Sequence, residues 1–121
     1  MKILVIEDEN VIRENTLEML EIKGYDAIGA SNGTEAIEKL KQFTPDLIFC
    51  DIMMPQMDGF EFLKWFRLSP NGGNTPFVFL SAKAEQQDKD NAISLGANDF
   101  LLKPFSFNCL FDLINKYTKK D

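Results

Sequence analysis

The chain is predicted to fold as an α/β sandwich built on a parallel sheet, and three observations predict it. Short apolar runs alternate with segments of helical spacing along all 121 residues. Most of the runs are continuously apolar rather than alternating, as expected of strands covered on both faces. The segments between them are long enough for crossover helices, which favours right-handed βαβ units over hairpins.

The order begins with KILVI (2–6) as a strand. Asn10 can cap a helix over VIRENTLEMLEIK, which stops at Gly24. YDAIGA (25–30) is the weakest apolar run, because it carries Asp26 and a glycine, and it is placed at a sheet edge. Asn32 can cap GTEAIEKLKQF, with Ala36, Ile37, Leu40 and Phe43 on one stripe, and Pro45 blocks continuation. DLIFC (46–50) is the third strand. Asp58 can cap GFEFLKWFRL, whose Phe60, Leu63 and Phe66 share a face. NGGNTP (71–76) reads as a loop and FVFLSA (77–82) as the fourth strand. The polar segment AEQQDKDNAISLG (84–96) turns Ala92 and Leu95 inward and ends at Gly96. DFLLK (99–103) is the last strand, and Ser106 can cap FNCLFDLINKY. There Phe107, Leu110, Phe111 and Ile114 fall at i, i+3, i+4 and i+7. With no repeat, low-complexity tract or linker, residues 1–121 are expected to form a single domain.

Composition removes several classes of function. A net charge of −6 argues against direct contact with nucleic acid. The absence of histidine takes a necessary part from zinc-hydrolase and Ser-His-Asp readings. Cys50 and Cys109 make neither a disulfide framework nor a CxxC pair, and Cys50 reads as a small core residue. No run has the length of a membrane span, and the N-terminal apolar stretch is too short for a signal peptide. The expectation is a cytoplasmic protein without membrane contact.

In a parallel α/β sheet, ligands gather at the carboxyl ends of the strands. Those ends carry Glu7-Asp8-Glu9 after the first strand and Asp51 after the third. The fourth ends in Ser81-Ala82-Lys83 and the fifth in Lys103-Pro104-Phe105. If the first and third strands are neighbours, Glu7, Asp8 and Asp51 converge, and their mutual repulsion calls for a counter-charge. A set of oxygen ligands without nitrogen or sulfur suits a hard ion such as Mg²⁺. Lys103 and Ser81 add a cation and a hydroxyl. A metal, a lysine and a hydroxyl around one carboxylate make a site for phosphoryl oxygens, with Asp51 as the nucleophile.

The segments ILVIEDE, PDLIFCDIMMPQMDGFEFL, FLSAKAE and GANDFLLKPF, with their spacing, resemble the receiver domain of bacterial two-component response regulators. The resemblance covers essentially the whole chain. It implies a flavodoxin-like (βα)5 three-layer sandwich with strand order 2-1-3-4-5. It implies that Asp51 accepts a phosphoryl group from a sensor histidine kinase or phosphotransfer protein. Glu7, Asp8, Asp51 and the Met53 carbonyl then serve Mg²⁺, Lys103 pairs with phosphate, and Ser81 and Phe100 act as switch residues. A cis Lys103–Pro104 bond is also implied. The surface expected to change is the fourth helix, fifth strand and fifth helix, where an output partner or a phosphorylation-dependent second copy would dock. The domain would be a phosphoacceptor that assists its own phosphotransfer and dephosphorylation, rather than an enzyme.

Plainer readings exist for each residue taken singly. The acids after the first strand suit a solvated loop before a helix N-terminus. Glu9 is read as solvated, Asp58 as a helix cap, Lys83 as solvent-facing, and Ser81, Lys103 and Phe100 have ordinary turn, surface and core alternatives. The joint placement at corresponding strand ends favours the site. An aspartyl phosphatase needs a second acid two residues after the nucleophile, where this chain has Met53. A flavin mononucleotide carrier needs a Gly/Ser/Thr-rich phosphate loop, where this chain has three acids that repel phosphate. A docking module without phosphorylation leaves the complete residue set unexplained.

Overall fold

The apolar runs become the strands of one sheet because each can bury both faces. The computed structural model describes residues 1–70, 72–82 and 86–118. Its strands are β1 (Lys2–Ile6), β2 (Asp26–Ala30), β3 (Leu47–Asp51), β4 (Phe77–Ser81) and β5 (Asp99–Leu102). Its helices are α1 (Asn10–Ile22), α2 (Gly33–Leu40), α3 (Gly59–Leu68), α4 (Gln86–Ser94) and α5 (Phe107–Thr118). All pairings are parallel and the order is β2-β1-β3-β4-β5. The predicted architecture is therefore the observed one, with the weak run DAIGA at an edge.

Successive strand residues point to opposite faces, so the sheet divides the core in two. Leu4, Ile6, Ile48, Cys50, Phe77 and Phe79 face α2, α3 and α4, packing with Ala36, Phe62, Leu63, Phe66 and Ala92. Ile3, Val5, Leu47, Phe49, Val78 and Leu80 face α1 and α5, packing with Leu20, Leu110 and Ile114. The strands β3 and β4 are buried along their whole length, whereas β2 and β5 are only partly buried. Full burial of one such Leu or Phe contributes about 1.5–3 kcal/mol, so the central strands are the best-held part of the sheet.

Among the described residues, most ring–ring contacts lie on the α3 side. The Phe77 and Phe79 rings meet at 5.1 Å and 68°, and Phe60 meets Phe79 at 5.2 Å, both edge-to-face. Phe62 lies fully buried between Phe66 and Phe77. The predicted residues Phe60, Leu63 and Phe66 all pack on this core, with Phe60 half-buried; the reading left out Phe62, which is fully buried and shares one side of the helix with Gly59, Leu63 and Phe66. The spacing i, i+3, i+4, i+7 places that set on one side of the helix.

Helix ends follow local chemistry, with one exception. The Asn32 side chain accepts from the Glu35 N–H at 2.7 Å, and Ser106 Oγ from the Cys109 N–H at 3.1 Å. Asp58 and Glu61 form a reciprocal capping box. The exception is α1, which begins one residue early, with Glu9 rather than Asn10 as its cap. The Asn10 amide oxygen instead accepts from Arg13 at 2.6 Å, and the Glu9 carboxylate takes the Val11 N–H. Gly24 and Gly96 end their helices at φ +93° and +103°, values that suit glycine.

Candidate functional site

Parallel register carries the functional residues to one edge of the sheet. Ile6 is paired with Cys50, Asp51 with Leu80, and Ser81 with Leu102. The residues that follow β1 and β5, and those that end β3 and β4, are thereby brought side by side. Asp51 is the last residue of β3 rather than the first after it, because its pairing with Leu80 extends the ladder by one position.

Glu7, Asp8 and Asp51 each offer a carboxylate oxygen within 4.8 Å of the others. Glu7 and Asp51 are buried and Asp8 is exposed. Lys103 supplies the counter-charge. Its Nζ lies 3.1 Å from Asp51 Oδ2 and pairs with Glu7 Oε1. Among the described residues, no donor besides Lys103 reaches the buried Glu7 Oε1. Asp51 Oδ1 accepts from the Met53 N–H at 3.3 Å, and Glu7 Oε2 from the Glu9 N–H at 3.2 Å. The Lys103–Pro104 bond is cis.

The electrostatics follow from this crowding. Burial raises the Glu7 carboxyl from 4.5 to about 7; Lys103 opposes the rise and Asp51 adds to it. Burial works against the Lys103 ammonium, yet the Glu7 and Asp51 carboxylates outweigh it and hold its pKa above the ordinary lysine value. Burial pushes the Cys50 thiol up, in keeping with a packing role.

Ser81 is buried at the end of β4, and its carbonyl accepts from the Lys103 N–H at 2.8 Å. Phe100 is half-buried on the α4 side of the sheet, paired in register with Phe79. Met53 is exposed in the turn after β3. Asp58 caps α3, and Glu9 is exposed but caps α1. Lys83 lies outside the described residues. Among the described residues, then, the acids, Lys103 and Ser81 share one end of the sheet, and Phe100 borders it from β5.

Two contributors were not read from the sequence. Gly59 N–H donates to the Ile52 carbonyl at 2.8 Å, and a Cβ on Gly59 would come within 2.9 Å of Ile52 Cα and closer still to the Asp51 carbonyl. Only glycine lets α3 start this near the end of β3. Arg13 Nη1 donates to the Glu7 carbonyl at 2.8 Å. The partners of both are main-chain atoms, which residue types do not reveal; the Asp-Gly pair at a helix start was the one available signal.

The all-oxygen donor set fits a hard divalent cation, which takes a few carboxylates and keeps several waters. Lys103 spans the Glu7–Asp51 side of the cluster, while Asp8 stands free toward solvent.

The response regulator receiver domain model matches residues 3–115. Over 105 residues the chain is 44% identical to the alkaline phosphatase synthesis transcriptional regulatory protein PhoP of Bacillus subtilis, covering 87% of this chain and 43% of that protein. The chain spans about half the length of the curated relatives it matches. The chemotaxis protein CheY4 of Vibrio cholerae superposes with a TM-score of 0.92 at 31% identity, covering 96% of this chain and 97% of that one. The receiver domain of the sensor histidine kinase PA1611 of Pseudomonas aeruginosa, solved with a magnesium ion coordinated in its active-site cleft, superposes with a TM-score of 0.87 at 30% identity. That likeness covers 96% of this chain and 95% of that one. The family match leaves out only a few residues at either end and the fold is shared with the solved receiver structures, so the chain belongs to the receiver domain family of two-component response regulators.

Proposed function

We propose that residues 1–121 act as a single receiver domain that stores a signal as an acyl phosphate on Asp51. The donor is a sensor histidine kinase or a phosphotransfer protein. The observation that carries the reading is the buried Asp51 carboxylate at the end of β3, with Lys103 Nζ at 3.1 Å and the Glu7 and Asp8 carboxylates beside it. No helix among the described residues is long and apolar enough to cross a membrane, and a cytoplasmic setting suits this role.

In the transfer step, an Asp51 carboxylate oxygen bonds to the phosphorus of a phosphohistidine. The P–N bond breaks, and its electron pair returns to the imidazole nitrogen. Glu7, Asp8, Asp51 and the Met53 carbonyl would hold Mg²⁺, which would supply positive charge for the phosphoryl oxygens. Lys103, whose Nζ lies 3.1 Å from Asp51 Oδ2, turns toward the incoming phosphoryl oxygens. In hydrolysis, water attacks the same phosphorus, the aspartyl P–O bond breaks, and inorganic phosphate leaves. The chain thus assists its own phosphorylation and dephosphorylation.

The phosphoryl oxygens are strong acceptors for the Ser81 hydroxyl and Lys103. Drawing Ser81 toward the phosphoryl group leaves room beside β5, and Phe100 turns into it. The α4-β5-α5 face then changes, offering a docking surface for an output partner or a second copy. With a net charge of −6, the domain does not itself grip nucleic acid.

The test is incubation with acetyl phosphate and Mg²⁺, read by intact mass. One phosphoryl group should be added to the wild type and none to Asp51→Asn. Equal labelling of the two proteins would refute the assignment of Asp51.

A further inference from the structure

Arg13 reaches from the first turn of α1 to the main chain of the acidic loop. Its Nη1 donates to the Glu7 carbonyl at 2.8 Å, and its Nη2 to Asn10 Oδ1 at 2.6 Å. Nη2 also lies 3.8 Å from Glu14 Oε1, and the Arg13 side chain is only 14% exposed. Its aliphatic stem lies over Gly29 of β2, where an added Cβ would come 3.3 Å from Arg13 Cδ and 2.7 Å from Leu17 Cδ1. The missing side chain at Gly29 is what lets the stem lie flat and deliver the guanidinium to the end of β1.

What Arg13 holds is the peptide between Glu7 and Asp8. The Glu7 N–H is fixed by the Ala30 carbonyl at 3.0 Å, and the next residue to be anchored is Glu9, whose carbonyl takes the Arg13 N–H at 3.0 Å. Between those anchors, among the described residues, the only side-chain donor to the main chain is Arg13 Nη1 on the Glu7 carbonyl. The Asp8 carboxylate is exposed, and among the described residues no donor reaches it. Its direction is therefore set by its own backbone, which is held by the Glu7–Asp8 peptide plane on one side and by the Glu9 N–H on Glu7 Oε2 at 3.2 Å on the other.

We infer that Arg13 is a positioning residue for divalent-cation binding: by holding the Glu7 carbonyl, it aims the Asp8 carboxylate at the Glu7–Asp51 pair. This rests on the metal site in the proposed function. Arg13 itself touches neither metal nor phosphoryl group. Outer-shell hydrogen bonds of this kind orient ligands and change metal affinity when lost.

The test is a Mg²⁺ titration of the full chain followed by backbone amide NMR, with Arg13→Met as the main variant. Methionine keeps an aliphatic stem over Gly29 and removes every donor. The Mg²⁺ dissociation constant should rise about tenfold. In the metal-free protein, the Asp8 and Glu9 amides should shift while those of Ile48 to Cys50 stay in place. Arg13→Lys, whose ammonium can still reach the carbonyl, should recover part of the affinity. An Arg13→Met dissociation constant within about twofold of wild type, alongside lost binding in Asp8→Asn, would overturn the role of Arg13 and leave the metal site standing. Binding of wild-type strength in Asp8→Asn would overturn the metal site and this inference with it. Should Arg13→Met not fold, Arg13→Gln is too short to reach the carbonyl and carries the same expected and contradicting results.

Discussion

Lys103 Nζ lies 3.1 Å from Asp51 Oδ2 across 52 residues of sequence, and the same ammonium pairs with Glu7. One cation thus serves two buried carboxylates. Lys103→Met should remove the counter-charge and leave Glu7 and Asp51 facing each other. Breaking a buried pair costs about 3–5 kcal/mol, and the partial exposure of Lys103 lowers the expectation to roughly 1–3 kcal/mol. In urea unfolding with chelator present, Asp51→Asn should recover part of that loss in the Lys103→Met background. A double-mutant cycle without coupling between the two positions would contradict the triad.

The Glu7 carboxyl titrates higher in the folded chain than in the unfolded one, at about 7 against 4.5. The folded state therefore binds more protons between these values, so stability falls as pH rises through that window. The metal-free protein should lose several degrees of melting temperature between the lower and the upper value. Glu7→Gln should flatten the profile across that range. A wild-type melting temperature that climbs with pH there would reverse the sign and rule out this account of Glu7.

Phe62 is fully buried against Phe66, Phe77 and Trp65. Phe62→Ala should cost about 3–5 kcal/mol of unfolding free energy, as expected for a large core aromatic. Phe60→Ala, at the half-buried position, should cost less. The reverse ranking in denaturant melts would make Phe60, not Phe62, the main aromatic anchor of α3.

That ranking marks where the sequence was legible and where it was not. The five strands were readable because buried parallel strands are continuous apolar runs, and the acids and Lys103 were readable because they stand directly at the ends of those runs. The inner face of α3 is drawn through Phe60 in the sequence reading, since GFEFLKWF offers two aromatic choices only two residues apart, and the packing against Phe77 selects Phe62 as the more buried one. The α1 cap was assigned to Asn10 by intrinsic preference. Arg13 takes that amide oxygen, a tertiary choice that propensity does not contain. Repulsion among the three acids was anticipated, but the bridging position of Lys103 depends on register, which is set by pairings far apart in the chain.

The proposed switch joins Ser81, at the carboxyl end of β4, to Phe100, which lies on the neighbouring strand two positions before the partner of Ser81. Ser81→Ala should accept a phosphoryl group at Asp51, because the hydroxyl is not the nucleophile, but should transmit the change poorly. With beryllofluoride as the phosphoryl mimic, wild-type amide shifts should extend to β5 and α5, and in Ser81→Ala they should stay near the acids. Shifts that spread undiminished in Ser81→Ala would remove Ser81 from the coupling.

The central claim is that Asp51 is the acceptor, and borohydride trapping tests it most directly. Borohydride reduces an aspartyl phosphate to homoserine, and peptide mass spectrometry reads the position. After treatment with acetyl phosphate and Mg²⁺, homoserine should be found at position 51 alone. Homoserine at Asp8 or another acid, or its absence from a protein whose intact mass has gained a phosphoryl group, would contradict the claim.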